Sequence, residues 1–240
     1  MSSVLVLGDG LLGSEIVRQT SWDYISRKKD SFEVNYGENF LDYNYKFNEF
    51  LRPYDTIVNC IACTDTYNSN KELHWDLNYK FVRDLIEHCN HNSKKLIQIS
   101  TDYLYSNSNP TKRSEEDVPV HCSNWYGYTK LLSDGLVQLS CRDYLLIRTS
   151  FKPRPFPFDK SLLQFGNFDY VDTIAELIIK LIEKNSKGIY NVGTEKKTMN
   201  DLAKVTREDV YSDNYTRIHP SFPLDVTMNV SKLNKELYEN

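Results

Sequence analysis

No apolar run in this 240-residue chain approaches the ~20 residues that a membrane-spanning helix needs. A spanning segment is therefore not expected. The N-terminus enters a strand-like run with no basic region ahead of it, so a secretory leader is not expected either. A surplus of positive charge is also missing. Lys and Arg number 29 against 33 Asp and Glu, a formal net charge of −4. That balance argues against nucleic acid or an anionic membrane as partner. A disulfide framework is absent as well, because five cysteines at irregular spacing leave one over. A reducing, cytoplasmic setting fits such usage. Cys60-Ile-Ala-Cys63 is the one close pair, and it has neither a second pair nor a histidine at metal spacing. A buried strand end explains it better than a redox or zinc site, so no metal is expected. An internal repeat is not detectable. The length suits one large domain with a sizeable core.

What is present is an alternation of short apolar runs with amphipathic stretches. Ser3–Leu7 is strand-like, followed by Gly8-Asp-Gly10-Leu-Leu-Gly13 and a helix over about 11–20. Strand, G-x-G-x-x-G, helix is the context of a dinucleotide fingerprint. Gly8 permits the tight turn, Gly10 lets a pyrophosphate approach the backbone, and Gly13 permits close packing of helix on strand. Trp22–Ser26 reads as the second strand, ending in Ser26-Arg27-Lys28 rather than in an acid. Arginine there suits a 2′-phosphate, so NADP(H) is expected to be preferred; Asp30 keeps NAD(H) in play.

Further on, 56–62 reads as a buried parallel strand, and 73–89 as a helix with Leu77, Phe81, Leu85 and His88 at helical spacing. On it, His88 reads as a cap or surface residue. Strands follow at 95–100, 144–150 and 188–193, and helices at about 126–139, 171–184 and 198–205. Segment 106–124 reads as a long polar loop, often a functional feature. The alternating prolines of 151–158 exclude helix and central strand and suggest a loop crossing the site. The tail from 209 reads as irregular up to a short helix near 231–238. The sum is an α/β chain with a Rossmann-like, doubly wound parallel sheet. Residues 1–150 form the nucleotide-binding core. Residues 151–240 supply its remaining elements, about 166–205, and a reduced C-terminal substrate lid.

Tyr126 and Lys130 lie four apart on the fourth long helix, so a phenol and an ammonium share a face. A positive charge favours the phenolate and makes a tyrosine usable in proton transfer.

Together, Gly8-x-Gly-x-x-Gly13, Asn59-Cys-Ile-Ala62, Leu77-Asn78, Ser100-Thr-Asp-Tyr103, Tyr126-x-x-x-Lys130, Arg148-Thr149 and Gly188–Gly193 resemble the extended short-chain dehydrogenases/reductases. More narrowly, the chain resembles the dTDP-4-dehydrorhamnose reductases, over roughly residues 3–205. The resemblance implies reduction of a 4-keto-6-deoxy nucleotide-sugar. Tyr126 would be the proton donor, Lys130 the ribose-binding lysine, and Thr101 the hydroxyl on the substrate carbonyl, with Asp102 beside it. Leu11 and Leu12 would join the glycines around the pyrophosphate, Cys60, Ala62 and Thr64 would line the cofactor, and Leu41 and Asp42 would meet adenine. Related dehydratases carry glutamate where this chain has Tyr103. Epimerases of the same fold use the same Tyr and Lys. The regulatory subunit of methionine adenosyltransferase, a binding partner rather than an enzyme, resembles the family too. The lid is short, with about twenty residues from Phe151 to Tyr170. A nucleotide-sugar is the implied partner, and the resemblance leaves room for a homodimer.

Overall fold

Successive residues of the first strand serve opposite layers of helices. In β1 (Val4–Leu7), Val4 and Val6 enter one apolar cluster and Leu5 and Leu7 enter another. Side chains alternate along a strand, and a parallel sheet is covered on both faces, so all four residues can be apolar. The computed structural model describes residues 3–26, 49, 51–106, 111, 113–117, 124–213 and 222–239.

After β1 come α1 (Leu11–Thr20), β2 (Asp23–Ile25) and β3 (Thr56–Asn59). Helices α2 (Lys71–Trp75) and α3 (Phe81–His91) are joined by a π-helical turn, Asp76–Lys80. Then follow β4 (Lys95–Thr101), a 3-10 turn Asp102–Tyr105, α4 (Trp125–Ser140), β5 (Tyr144–Thr149) and β6 (Phe151–Lys152). Next are β7 (Lys160–Leu162), β8 (Phe165–Gly166), β9 (Asp169–Tyr170), α5 (Val171–Glu183) and β10 (Gly188–Val192). The last elements are β11 (Lys197–Thr198), α6 (Met199–Lys204), β12 (Tyr211–Asp213) and α7 (Ser231–Tyr238). The described residues hold a six-stranded sheet in the order β10-β5-β4-β3-β1-β2, parallel throughout.

Helices α1 and α5 cover one face through Leu12, Ile16, Ile174 and Ile178. Helices α3 and α4 cover the other through Phe81, Leu85 and Val137. The expected α/β class and parallel sheet are therefore observed. Thr198 caps α6 in a reciprocal capping box with Asp201.

Four expectations need correction. The strand read as 56–62 stops at Asn59, whose side-chain Oδ1 accepts the Ile61 N–H at 3.0 Å and turns the chain aside. The proline-rich stretch contributes a strand pair, since β6 aligns Phe151 with Asp169 and Lys152 with Tyr170 before the first proline. Phe156 from that stretch is buried in a third apolar cluster with Phe168, Tyr170, Met199 and Leu202. The tail is also less irregular than expected, because β12 pairs in parallel with β7.

His88 is the fourth case. It is buried rather than at the surface, and its Nε2 has no hydrogen-bond partner. Burial pulls its pKa down to about 4, helped by the charges of Lys94 and His91. Unfolding frees the imidazole to bind a proton near its ordinary ~6.5. The unfolded chain thus binds more protons between those values, and stability falls as pH drops through that window. His88→Gln removes this dependence. Urea unfolding at pH 7 and pH 4.5 should show the wild type losing up to about 3 kcal/mol more than the variant across the interval. Equal losses would mean that His88 does not govern acid lability.

Candidate functional site

The carboxyl ends of β1, β3, β4 and β5 open on a cavity of about 380 Å³. Clefts at that edge are where open parallel sheets bind ligands. The turn after β1 is built by its glycines. Gly8 has φ +95°, a left-handed value that side chains disfavour. A Cβ on Gly13 would sit 2.0 Å from the Gly8 carbonyl oxygen, so only glycine lets α1 start this close to β1. A Cβ on Gly10 would meet nothing within 4 Å; the space it would enter is open. Gly10 is the N-cap of α1, and Gly10, Leu11 and Leu12 line the cavity. The N–H groups of a first helical turn lack partners within the helix and favour anions. The residues present thus fit a phosphate-bearing dinucleotide.

Beyond β3, Cys60, Ala62 and Thr64 line the same cavity. This segment is held by Asn78, whose Oδ1 accepts the Cys63 N–H at 2.8 Å and whose Nδ2 donates to the Cys63 carbonyl at 3.1 Å. Asn78 Nδ2 also reaches Thr129 Oγ1 of α4 at 3.3 Å. Burial pushes the Cys60 thiol up to about 12, and it raises Cys63 too. Both are thereby moved away from the thiolate that redox or metal chemistry needs. Arg27, Lys28, Leu41 and Asp42 lie outside the described residues, as does most of the 106–124 loop.

Thr101, Asp102, Tyr126 and Lys130 line this one cavity. Asn124 starts α4 by accepting the Gly127 N–H on its side chain at 2.7 Å, which sets Tyr126 in the first turn. One turn later the buried Lys130 ammonium donates to the Ile99 carbonyl at 2.6 Å. Burial draws its pKa down to about 8, against the upward pulls of Asp134 and Cys60. At the end of β4, the Thr101 hydroxyl accepts the Tyr103 N–H at 3.2 Å and donates to Asp102 Oδ1 at 3.3 Å.

Helix α4 is fixed to the sheet by a buried ion pair. Arg148 of β5 grips Asp134 with Nε–Oδ2 at 3.0 Å and Nη2–Oδ1 at 2.7 Å. Ser100 of β4 donates to Asp134 Oδ2 at 3.0 Å. Burial alone would lower the Arg148 pKa, but Asp134 outweighs it and the net direction is upward.

Sequence reasoning assigned no role to Asn78, Ser150, Phe151 or Lys152, and the last three line the cavity. In the sequence Asn78 stands out only as part of the Leu77-Asn78 motif. The proline-rich composition points to a crossing loop and does not single out the two residues ahead of the first proline. Tyr103, noted for standing where dehydratases carry glutamate, also lines the cavity, and its ring meets Tyr126 edge-on at 5.9 Å. Burial raises the Tyr103 phenol, so it is no substitute for a carboxylate base. Among the described residues there is no cluster of His, Cys, Asp and Glu able to hold a metal. Nor is any described helix long and apolar enough to cross a membrane.

Comparison with known proteins bears on this arrangement. The family model for the RmlD substrate binding domain matches residues 1–152. The spore coat polysaccharide biosynthesis protein SpsK of Bacillus subtilis (strain 168) is 28% identical over 216 residues, 80% of this chain and 73% of that protein. A hypothetical dTDP-4-dehydrorhamnose reductase from Sulfolobus tokodaii superposes with a TM-score of 0.79 at 22% identity, covering 98% of this chain and 94% of that one. The dTDP-4-dehydrorhamnose reductase of Bacillus anthracis, crystallised in complex with NADP, also gives 0.79, at 19% identity, over 98% of this chain and 92% of that one.

Proposed function

This chain belongs to the RmlD substrate binding domain family, and from that premise we propose that it is an NADP(H)-dependent reductase of a 4-keto-6-deoxy nucleotide-sugar. The observation that carries the reading is the meeting of Thr101, Tyr126 and Lys130 in one cavity that begins at the N-terminus of α1. A binding protein has no physical need for all three.

Each residue then has a task. Gly10, Leu11 and Leu12 present the first turn of α1 to the cofactor's phosphates. Lys130, held by the Ile99 carbonyl, binds the nicotinamide ribose and favours proton transfer at Tyr126. Thr101 donates a hydrogen bond to the sugar's carbonyl oxygen, and Tyr126 protonates that oxygen as charge develops on it. When bound, the reduced nicotinamide supplies the hydride to the carbonyl carbon. Tyr103 in place of a glutamate removes the base that water elimination requires, so the ketone is reduced rather than the sugar dehydrated. The relatives' reductase and NADP descriptions support the choice of substrate class and cofactor.

Fluorescence titration tests the cofactor. NADPH is expected to bind more tightly than NADH, and Arg27→Ala to narrow the difference, because an arginine at the end of the second strand matches a 2′-phosphate. Tighter NADH binding, or an Arg27→Ala protein with unchanged NADPH affinity, would remove the NADP assignment. Turnover is tested by NADPH consumption with dTDP-, UDP- and GDP-linked 4-keto sugars. NADPH binding without consumption of any of them would instead favour a non-catalytic regulatory subunit.

A further inference from the structure

The hydrogen-bond arithmetic around Thr101 does not close for catalysis as it stands. A hydroxyl has one hydrogen to give and two lone pairs to receive. Thr101 Oγ1 receives the Tyr103 N–H and gives its only hydrogen to Asp102 Oδ1. In that state nothing is left to donate to a substrate carbonyl. Asp102 itself is 1% exposed, and its Oδ2 has no hydrogen-bond partner. A buried carboxylate with an empty oxygen is costly, and adding a proton removes the cost.

We propose that Asp102 is a positioning residue that acts through Thr101. With its proton on, it donates to the remaining lone pair of Thr101 Oγ1 and turns the threonine hydrogen towards the substrate's carbonyl oxygen. With its proton off, it takes that hydrogen back. The proton comes from and returns to solvent, and no covalent bond changes. This deepens the reductase reading and rests on it.

The surroundings support the switch. Burial pushes the Asp102 pKa up to about 7, while the charge of Lys152 and the hydroxyls of Thr101 and Ser150 pull it down. Lys152 comes from β6, and its own pKa is lowered by burial and raised by Asp102. The Tyr103 phenol, from the same 3-10 turn, also feels the Asp102 charge. Tyr126 and Lys130 of α4 and Cys60 beyond β3 are the other titratable groups that line the shared cavity. Burial and Lys152 together thus set the pH at which the threonine is released.

The experiment compares kcat/KM against pH for wild type, Asp102→Asn and Lys152→Met. Wild type is expected to lose activity above pH about 7, falling up to tenfold per unit towards a plateau ~10²–10³ lower, the worth of one oxyanion donor. Asp102→Asn lacks this limb, whatever it does to the rate itself, because an amide N–H donates to Thr101 at every pH. Lys152→Met moves the limb to higher pH, whatever it does to the rate itself. Loss of the Lys130 charge near 8 is common to all three proteins, so the reading is the difference between profiles. In the protein without substrate, the infrared C=O stretch that Asp102→Asn abolishes should appear as pH falls through about 7. A band titrating in the ordinary carboxylate range near ~4 overturns the proposal. So do superposable profiles for wild type and Asp102→Asn, and these leave the reductase reading standing. Absence of turnover with every keto sugar overturns the reductase reading and this proposal together.

Discussion

Phenylalanine at position 126 should lower kcat/KM for the keto sugar at least about a hundredfold, the low end of what a positioned general acid contributes. The substitution keeps the ring and its edge-on contacts with Tyr103 and His74 and deletes only the transferable proton. NADPH affinity should therefore be unchanged. Lys130→Ala should damage both rate and cofactor binding, because the ammonium is expected to serve both and its removal leaves the Ile99 carbonyl with Gln98 Nε2 as its side-chain donor. The two losses should not add, since a proton donor and the charge that tunes it act as a unit. Steady-state kinetics and a binding titration on the two single variants and the double decide it. A loss under about tenfold in Tyr126→Phe would place the proton donor elsewhere. Full additivity would mean that Lys130 works only on the cofactor.

Much of this arrangement was legible in the residues because its signals are local. The glycine turn announces itself by spacing, and the structure gives Gly8 and Gly13 the backbone reasons that spacing implies. Apolar runs long enough to bury both faces marked β3, β4, β5 and β10. Signals that depend on distant partners were not legible. Strand pairs of two or three residues, β6 with β9 and β7 with β12, are too short for a period of two to register. The π turn at Asp76–Lys80 adds no break in composition, so it read as uninterrupted helix. Arg113 sat in a polar loop by composition, yet it is buried against Asp225 and Thr227, more than a hundred residues on. Lys152 and Asp102 illustrate the same limit. Their neighbourhood comes from the chain just past the carboxyl ends of the paired strands β4 and β5, which lines one cavity, and no spacing rule links positions fifty apart.

Helix α4 should depend for its seat on one buried pair. Asp134 and Arg148 are each 1% exposed and bind through two hydrogen bonds. Asp134→Ala leaves the guanidinium without a counter-ion inside the sheet, and breaking such a pair costs about 3–5 kcal/mol. For a chain of this size that is a fall of roughly 6–20 °C in Tm. Removing the exposed pair of Lys187 and Asp143 should cost under ~1 kcal/mol, because water screens it. The double replacement Asp134→Leu with Arg148→Met should be milder than either single change, since it removes both desolvation penalties and leaves no unpaired charge. Its activity should still fall, because α4 loses the ties that Asp134 makes to Ser100 and Arg148, and Tyr126 and Lys130 are carried on that helix. Thermal unfolding and kcat/KM on the wild type, Asp134→Ala, Arg148→Met and the double variant separate the two effects. A double variant that regains stability and keeps full activity would show that the pair holds the fold together without positioning the site.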